Sequence, residues 1–515
     1  MPNKSSLKSN VIANFSGQIW ITLIGILVVP IYLRYLGVEL YGVIGVFWTL
    51  QNMLSVLDIG LAPTLSREIA YLSALPEKTQ EMRDLTRTLE IPHWILAISL
   101  GFLTFLLSPY VAKYWVNAAT IPIETITYSF RLMSISFVFQ WANSIYLGGF
   151  LGLQKQVTHN IINSSCQTVR SVGSIVVLAF VSPTIEAFLL WQTIWTIITT
   201  FIFAVTLWRN MPASSVRSKF RIDLLRGIWR FAAGMTGNNT AWLILNQLDK
   251  VILSRLLTLE AFGYYSLANL LTSTGLITVA SSISRAYYPQ FSQLAAVGNK
   301  ENLVEIYHKS CQVMSFFLIP ASVVLAFFSY PILLLWTRNL DVAQNAYLLV
   351  TLLAIGYGLY GLVFLPTYIQ WATGLTKLSF WQNVGGITLL VPFMIYVTSH
   401  YGAVGGPLSW LTLNILYVFV GMPIMHRFLL HDELKEWYLK DVGFPAISIT
   451  LAVGVWWYFY PRDLSPVLNF IFLFSVSAFA MAVSLLTTPF PRSWVLRFVS
   501  TKYRQLFAEN VGENN

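Results

Sequence analysis

Residues 34–42 read RYLGVELYG, and residues 255–263 read RLLTLEAFG. Arg, Leu, Glu and Gly coincide at four of the nine positions, and Tyr41 falls opposite Phe262, at an offset of 221. A second short match, GLQK at 152–155 against GLTK at 374–377, has an offset of 222. Two matches in nearly one register point to a duplicated chain. What was duplicated follows from the segments between them.

Those segments are apolar. Of the 515 residues, 56% are hydrophobic and 10% are charged, and the mean hydropathy is +0.63. Soluble domains carry about a quarter charged residues. Runs of roughly 20 apolar residues, the length that spans a bilayer, recur from end to end, whereas a β-barrel would show short alternating segments. The chain reads as an all-α polytopic membrane protein of about 14 transmembrane helices: 11–33, 42–63, 92–112, 126–148, 158–180, 185–208, 231–254, 263–284, 310–335, 343–371, 379–398, 405–425, 443–460 and 467–487. The first run is too long for a signal-peptide core and lacks a small-residue cleavage site, so it reads as a retained span.

Charge supports the layout. With the N-terminus inside, 24 of the 32 Lys and Arg residues fall in cytoplasmic segments, five in outer loops and three inside spans. That asymmetry predicts cytoplasmic N- and C-termini. It also accounts for the net charge of +10 through anionic lipid headgroups, without nucleic acid. Every outer loop is short, so an extracytoplasmic catalytic domain is not expected. Cys166 and Cys311 lie in or at the edge of spans, which argues against a disulfide framework; neither a metal site nor a cofactor is expected.

On this layout the first match pairs two outer loops and the second pairs two cytoplasmic loops. The repeat is therefore parallel, with six helices per copy. The expected organisation is an N-terminal lobe at 1–210, a C-terminal lobe at 211–430, and two further helices with a cytoplasmic tail at 431–515. Parallel repeats of this kind form transporters that work by alternating access around a site near the midplane.

Ionisable groups inside spans are expensive and therefore face protein or water. In the fifth span, Asn160, Asn163, Gln167, Arg170 and Ser174 are spaced 3, 4, 3 and 4, which is one helical face. The seventh span, NNTAWLILNQLDKVILSR at 238–255, places Asn239, Trp242, Asn246 and Asp249 on one face, with Lys250 beside them. Sequence neighbours sit about 100° apart on a helix, so Asp249 and Lys250 are not expected to be each other's best partner. Arg131 lies about two turns into the fourth span. Asp58 ends a polar face of the second span, and Glu186 opens the sixth. Arg170, Arg131, Lys250, Asn160, Asn163, Gln167, Asn239 and Asn246 are the candidate cavity residues. Asp249, Asp58 and Glu186 are candidates for gating or ion coupling. Arg with amides suits an anionic substrate carrying sugars, because guanidinium grips phosphate or carboxylate.

The segments YLGVELYG (35–42), LDIGLAPTLSREIA (57–70), LGGFLGLQK (147–155), LNQLDKVILSRLLTLEAFGYYSLA (245–268) and YGAVGGPLS (401–409) resemble the Wzx-type oligosaccharide-lipid flippases. These belong to the exporter superfamily that also holds the multidrug MATE transporters. The resemblance covers roughly 11–425. It implies two MATE-like six-helix lobes plus two C-terminal helices, in the bacterial cytoplasmic membrane. It further implies a cationic cavity for undecaprenyl-diphosphate-linked oligosaccharide, moved outward for surface polysaccharide assembly. The expected partners are that lipid, the surrounding membrane, an H⁺ or Na⁺ counter-ion, and polysaccharide polymerase or chain-length proteins. The nearest rival is a MATE-like ion-coupled exporter of small cations, which would need buried carboxylates. An enzyme would need an acid/base or metal constellation.

Overall fold

The apolar stretches form helices because a bilayer leaves backbone N–H and C=O groups no partner except one another. In the computed structural model, which describes residues 4–54, 60–214, 216–226 and 247–497, no strand is formed among the described residues, and Asn117–Thr258 is an isolated bridge. The helices are α1 Lys4–Leu54, α2 Leu61–Leu72, α3 Thr79–Tyr110, α4 Ile123–Gly152, α5 Gln156–Val176, α6 Ile185–Asn210, α7 Leu259–Val297, α8 Lys300–Phe327, α9 Ser329–Thr337, α10 Leu340–Leu362, α11 Phe364–Ala372, α12 Thr376–Tyr401, α13 Gly405–Leu416, α14 Met422–Leu429, α15 Phe444–Tyr458 and α16 Pro466–Thr487.

Ten helical stretches among the described residues are long and apolar enough to cross a membrane, against the 14 expected. Four features account for the difference. Ser16–Leu54 runs through Gly37, where the first two expected spans meet, and Thr376–Leu429 runs through the turn at Gly402, where the eleventh and twelfth meet. Ile123–Gly152, the expected fourth span, is not in this set of ten. The expected seventh span lies mostly outside the described residues. Gly37 has φ 79° and ψ 171°, a conformation closed to residues with a Cβ, so α1 is in effect two helices.

The chain packs as two units, Met1–Gly263 and Tyr264–Asn515. In the first, α4 packs on α2, α3 and α6, and α5 packs on α1 and α6. One end is closed by Leu65 and Ile69 of α2, Met82, Leu85 and Leu89 of α3, Ile145 and Phe150 of α4, and Phe203 and Leu207 of α6. The segment after α6 is laid along α3: the Lys219 N–H donates to Asp84 Oδ1 (2.9 Å) and the Arg221 N–H to Thr88 Oγ1 (2.9 Å). In the second unit α8 is central, packed against α10, α15 and α16. Ser484 of α16 donates to the Phe316 carbonyl (3.0 Å), so the two C-terminal helices dock on α8. Their other faces, with Phe444, Ile447, Leu451, Phe470 and Phe474, are exposed, as a lipid-facing surface requires.

The repeated motif is a contact between its own two copies. A Cβ on Gly42 would lie 2.1 Å from the Leu259 carbonyl oxygen, and a Cβ on Gly263 would lie 2.4 Å from the Val38 carbonyl oxygen. Adding 221 to Val38 and Gly42 gives Leu259 and Gly263, so the two contacts are related by the repeat. Backbone meets backbone there because neither residue has a side chain. The adjoining outer loop is held as well. Glu39 accepts from the Ala119 N–H (2.7 Å), the Thr120 N–H (3.1 Å) and the Thr120 hydroxyl, while Asn117 donates to the Arg255 carbonyl (2.9 Å).

The second sequence match lies in equivalent turns but in another register. After α4 the left-handed residue is Gln154 (φ 57°), and the Lys155 N–H reaches the Phe150 carbonyl (2.9 Å). After α11 the left-handed residue is Gly374 (φ 80°), and the Leu375 N–H reaches the Gln370 carbonyl (2.9 Å). These are the same helix-ending turn at an offset of 220. The GLQK/GLTK identity at 222 is therefore two residues out of structural register. Arg170 corresponds to Leu390 rather than to Pro392; neither carries a charge.

Candidate polar pocket in the first unit

Three helices with polar residues at helical spacing wall one pocket. α4 contributes Gln140, Asn143, Ser144 and Leu147. α5 contributes His159, Asn163, Cys166, Gln167 and Arg170, and α6 contributes Thr196, Thr199 and Phe203; the cavity they line is about 330 Å³ and is partly open. Each set recurs every three or four residues, so each is one face of its helix. From the start of α5 at Gln156 to Arg170 is roughly 21 Å at the helical rise, which places the guanidinium deep along the helix.

Tryptophans fix the wall. The Trp191 indole N–H donates to the Arg170 carbonyl (2.9 Å) and the Trp195 indole N–H to the Cys166 carbonyl (2.7 Å). Their rings stack with centroids 5.8 Å apart, one helical turn from each other on α6. Gln192 donates to the Ser174 hydroxyl (2.8 Å), and that hydroxyl donates to the Arg170 carbonyl (2.7 Å). His159 stacks on Phe203 with ring centroids 5.1 Å apart and closes the other end.

The Arg170 side chain is half-buried. Its electrostatic neighbours are the Tyr32 phenol and the Cys166 thiol, and among the described residues no carboxylate lies within 4 Å of it. A partly desolvated guanidinium with five donors and no anion is costly unless an anion or water completes it. The Asn143 side-chain oxygen is also buried without a protein partner. Among the described residues the lining contains no Asp or Glu. The pocket is therefore suited to an anionic group at Arg170, with amides and hydroxyls spaced along it for neutral polar groups.

The predicted site residues separate on this geometry. Asn163, Gln167 and Arg170 come together. Asn160, on the same stripe, turns to α1: its amide donates to Asn14 Oδ1, and Asn14 donates to Gln156 Oε1. Arg131 is exposed on α4, with its guanidinium 5.3 Å from the centre of the Phe105 ring, outside this lining. Lys250 also lies outside it and bonds Asp249, at 3.3 Å to Oδ1 and 3.4 Å to Oδ2. The two neighbours are thus in contact although about 100° separates them on the helix. A long lysine side chain can fold back across this angle, and the Asp249 side chain is buried, with 3% of it exposed. Glu186 sits in the first turn of α6 behind the Thr184 cap, where a carboxylate complements the helix dipole. Asn239, Asn246 and Asp58 lie outside the described residues. The sequence reading missed Gln140, Asn143, Ser144, His159, Thr196 and Thr199. The same three-and-four spacing on the fourth and sixth spans was the available signal.

Comparison with known proteins places this geometry in context. One curated relative, a putative O-antigen transporter from Shigella flexneri, is 23% identical over 411 residues, covering 79% of this chain and 94% of that protein. The fold is similar to that of the lipid II flippase MurJ in its inward closed conformation, with a TM-score of 0.68 and 16% identity over 97% of this chain and 99% of that one. It is also similar to an inward-facing multidrug MATE transporter of the MOP superfamily, with a TM-score of 0.64 and 14% identity over 82% of this chain and 99% of that one. At such identities these two likenesses establish a MATE- and MurJ-like helical fold. The family model described as polysaccharide biosynthesis protein matches residues 7–295, more than half the length, and the chain belongs to that family.

Proposed function

We propose that the protein is a flippase that carries a polyprenyl-diphosphate-linked oligosaccharide from the inner to the outer leaflet of the bacterial cytoplasmic membrane. The lipid is undecaprenyl, the product feeds assembly of a surface polysaccharide, and both chain termini are cytoplasmic. The observation that carries this reading is Arg170, without a carboxylate partner among the described residues, at one end of a pocket whose polar wall is mainly amides and hydroxyls. The guanidinium takes a diphosphate oxygen pair by two parallel N–H donations. Asn143, Asn163, Gln167, Ser144, Thr196 and Thr199 serve sugar hydroxyls, and the prenyl chain stays in lipid. Asn239 and Asn246 are proposed for the same cavity, with Asp249, Asp58 and Glu186 as proposed gating or coupling acids. No catalytic step is part of the cycle.

The driving force is electrostatic in part. With the inside negative, moving an anion outward is favourable by about 2.3 kcal/mol per charge per 100 mV. A lining without Asp or Glu among the described residues does not favour the rival reading, an exporter of small cations.

The test is flipping of a lipid-diphosphate oligosaccharide by purified protein in liposomes. Loss of Arg170's charge-assisted bonds is worth about 1.5–3 kcal/mol, so Arg170→Ala lowers the rate roughly 10- to 150-fold. Arg170→Lys keeps the charge without the fork and retains part of the activity. Unchanged flipping by well-folded Arg170→Ala overturns the reading, as does efflux of a cationic dye by wild type without flipping.

A further inference from the structure

The second unit holds a group of metal-ligating side chains that the transport reading does not use. His308 lies two turns into α8. Glu433 and Glu436 lie on the turn after α14, three residues apart, and the π-helical turn Trp437–Gly443 follows. The ligand atoms of His308, Glu433 and Glu436 all lie within 4.8 Å of one another, and His308 Nε2 is 3.0 Å from Glu433 Oε2.

The other ring nitrogen is fixed. His308 Nδ1 bonds Asp441 Oδ2 at 2.5 Å, and the Asp441 side chain is fully buried. The other Asp441 oxygen accepts from Gln312 Nε2 (2.9 Å), and Gln312 Oε1 in turn accepts from the Phe490 N–H (2.8 Å). A carboxylate that receives Nδ1–H sets the tautomer and presents the Nε2 lone pair, which is how metal-binding histidines are held in proteins. Nε2 in turn faces two carboxylates: without an ion it donates its proton to Glu433, and once that proton is released its lone pair is free for a cation. That proton serves Glu433 alone, and Glu436, on the same side of the ring, is then held only by an exposed lysine.

We propose that His308, Glu433 and Glu436 bind one divalent cation of the Zn²⁺ class, with Asp441 as the positioning residue behind His308. One imidazole nitrogen and two carboxylate oxygens, with a fourth position for water, match a borderline cation rather than Mg²⁺ or Ca²⁺, which take oxygen alone. Around Zn²⁺ at about 2.0–2.1 Å the ligand atoms sit roughly 3.3 Å apart; the present spacing reaches this by rotation of the two glutamates. The Glu433 and Glu436 side chains are 27% and 39% exposed, which leaves the ion a route in. Without metal, Glu436 pairs with Lys440 at 2.9 Å, and Lys440 is 63% exposed. Such exposed pairs are weak, so the ion displaces this one readily. The bound cation ties α8 to the connection between α14 and α15, all within the second unit.

The test uses full-length protein in detergent, purified without a histidine tag and stripped with chelator. Equilibrium dialysis against Zn²⁺ with elemental analysis gives one ion per chain, and Co²⁺ gives the visible band of a tetrahedral site. Glu436→Gln, which touches no buried group, lowers Zn²⁺ affinity at least tenfold. Asp441→Asn lowers it 10- to 100-fold, and His308→Gln abolishes the Co²⁺ band. Wild type that binds no Zn²⁺, or stoichiometry unchanged in folded Glu436→Gln and His308→Gln, overturns the proposal and leaves a proton as the occupant of Nε2. Metal binding is read apart from flipping, so either proposal can fail without the other.

Discussion

The reciprocal glycine contact makes a quantitative prediction about coupling. In Gly42→Ala the new methyl would stand 2.1 Å from the Leu259 carbonyl oxygen. A carbon and a carbonyl oxygen need about 3.3 Å, so the two segments must separate by about 1.2 Å. In Gly263→Ala the starting distance to the Val38 oxygen is 2.4 Å, and the needed separation is about 0.9 Å by the same contact distance. Both obstacles are backbone and cannot rotate aside, so each single substitution costs about 1–3 kcal/mol, the range for overpacking. One displacement serves both methyls, however, because the two contacts lie in the same small interface. The double variant should therefore cost little more than Gly42→Ala alone, with a coupling energy of about 1–2 kcal/mol between sites. The assay is denaturant unfolding of the four proteins in micelles, followed by tryptophan fluorescence. Gly25→Ala is the control: its Cβ would meet nothing within 4 Å, and alanine favours the helix. Single variants as stable as wild type, or a double variant whose loss equals the sum of the singles, would refute the reasoning.

With Cys166 and Cys311 replaced by serine, Asn163→Cys should react with a charged thiol reagent, and lipid-diphosphate oligosaccharide should slow that reaction. Asn160→Cys, turned to Asn14, should show no such protection; equal protection at both positions would return Asn160 to the pocket. Gln154 is held at φ 57°, where a side chain costs roughly 1–2 kcal/mol relative to glycine. Gln154→Gly should therefore raise the unfolding midpoint, and Gly374→Gln, at the equivalent turn, should lower it. Opposite shifts would show that the two turns are not alike.

The membrane fold is written in composition and periodicity, because a bilayer admits few solutions. Gly42 and Gly263 were visible as a repeated letter. That they touch was not, since a repeat specifies likeness and carries no distance. Within α5 the stripe correctly joined Asn163, Gln167 and Arg170, but helical spacing gives only an angle. It could not foresee that α1 would bring Asn14 to Asn160. For Asp249 and Lys250 the angle between helix neighbours did not reveal that the lysine stem also reaches back to the carboxylate. The His308 group was beyond such reasoning: Glu433 and Asp441 are 125 and 133 residues away in sequence and meet His308 through helix packing.

The indoles of Trp191 and Trp195 grip main-chain carbonyls of α5, not its side chains. The scaffold of the pocket and its chemical vocabulary are thereby separate possessions of the molecule. On the proposed function, an exchange of Asn163 or Gln167 for another small polar residue alters what the wall can say to a sugar while the wall itself stays upright. A lineage with this construction can follow changes in its substrate by single substitutions, without refolding the carrier at each step.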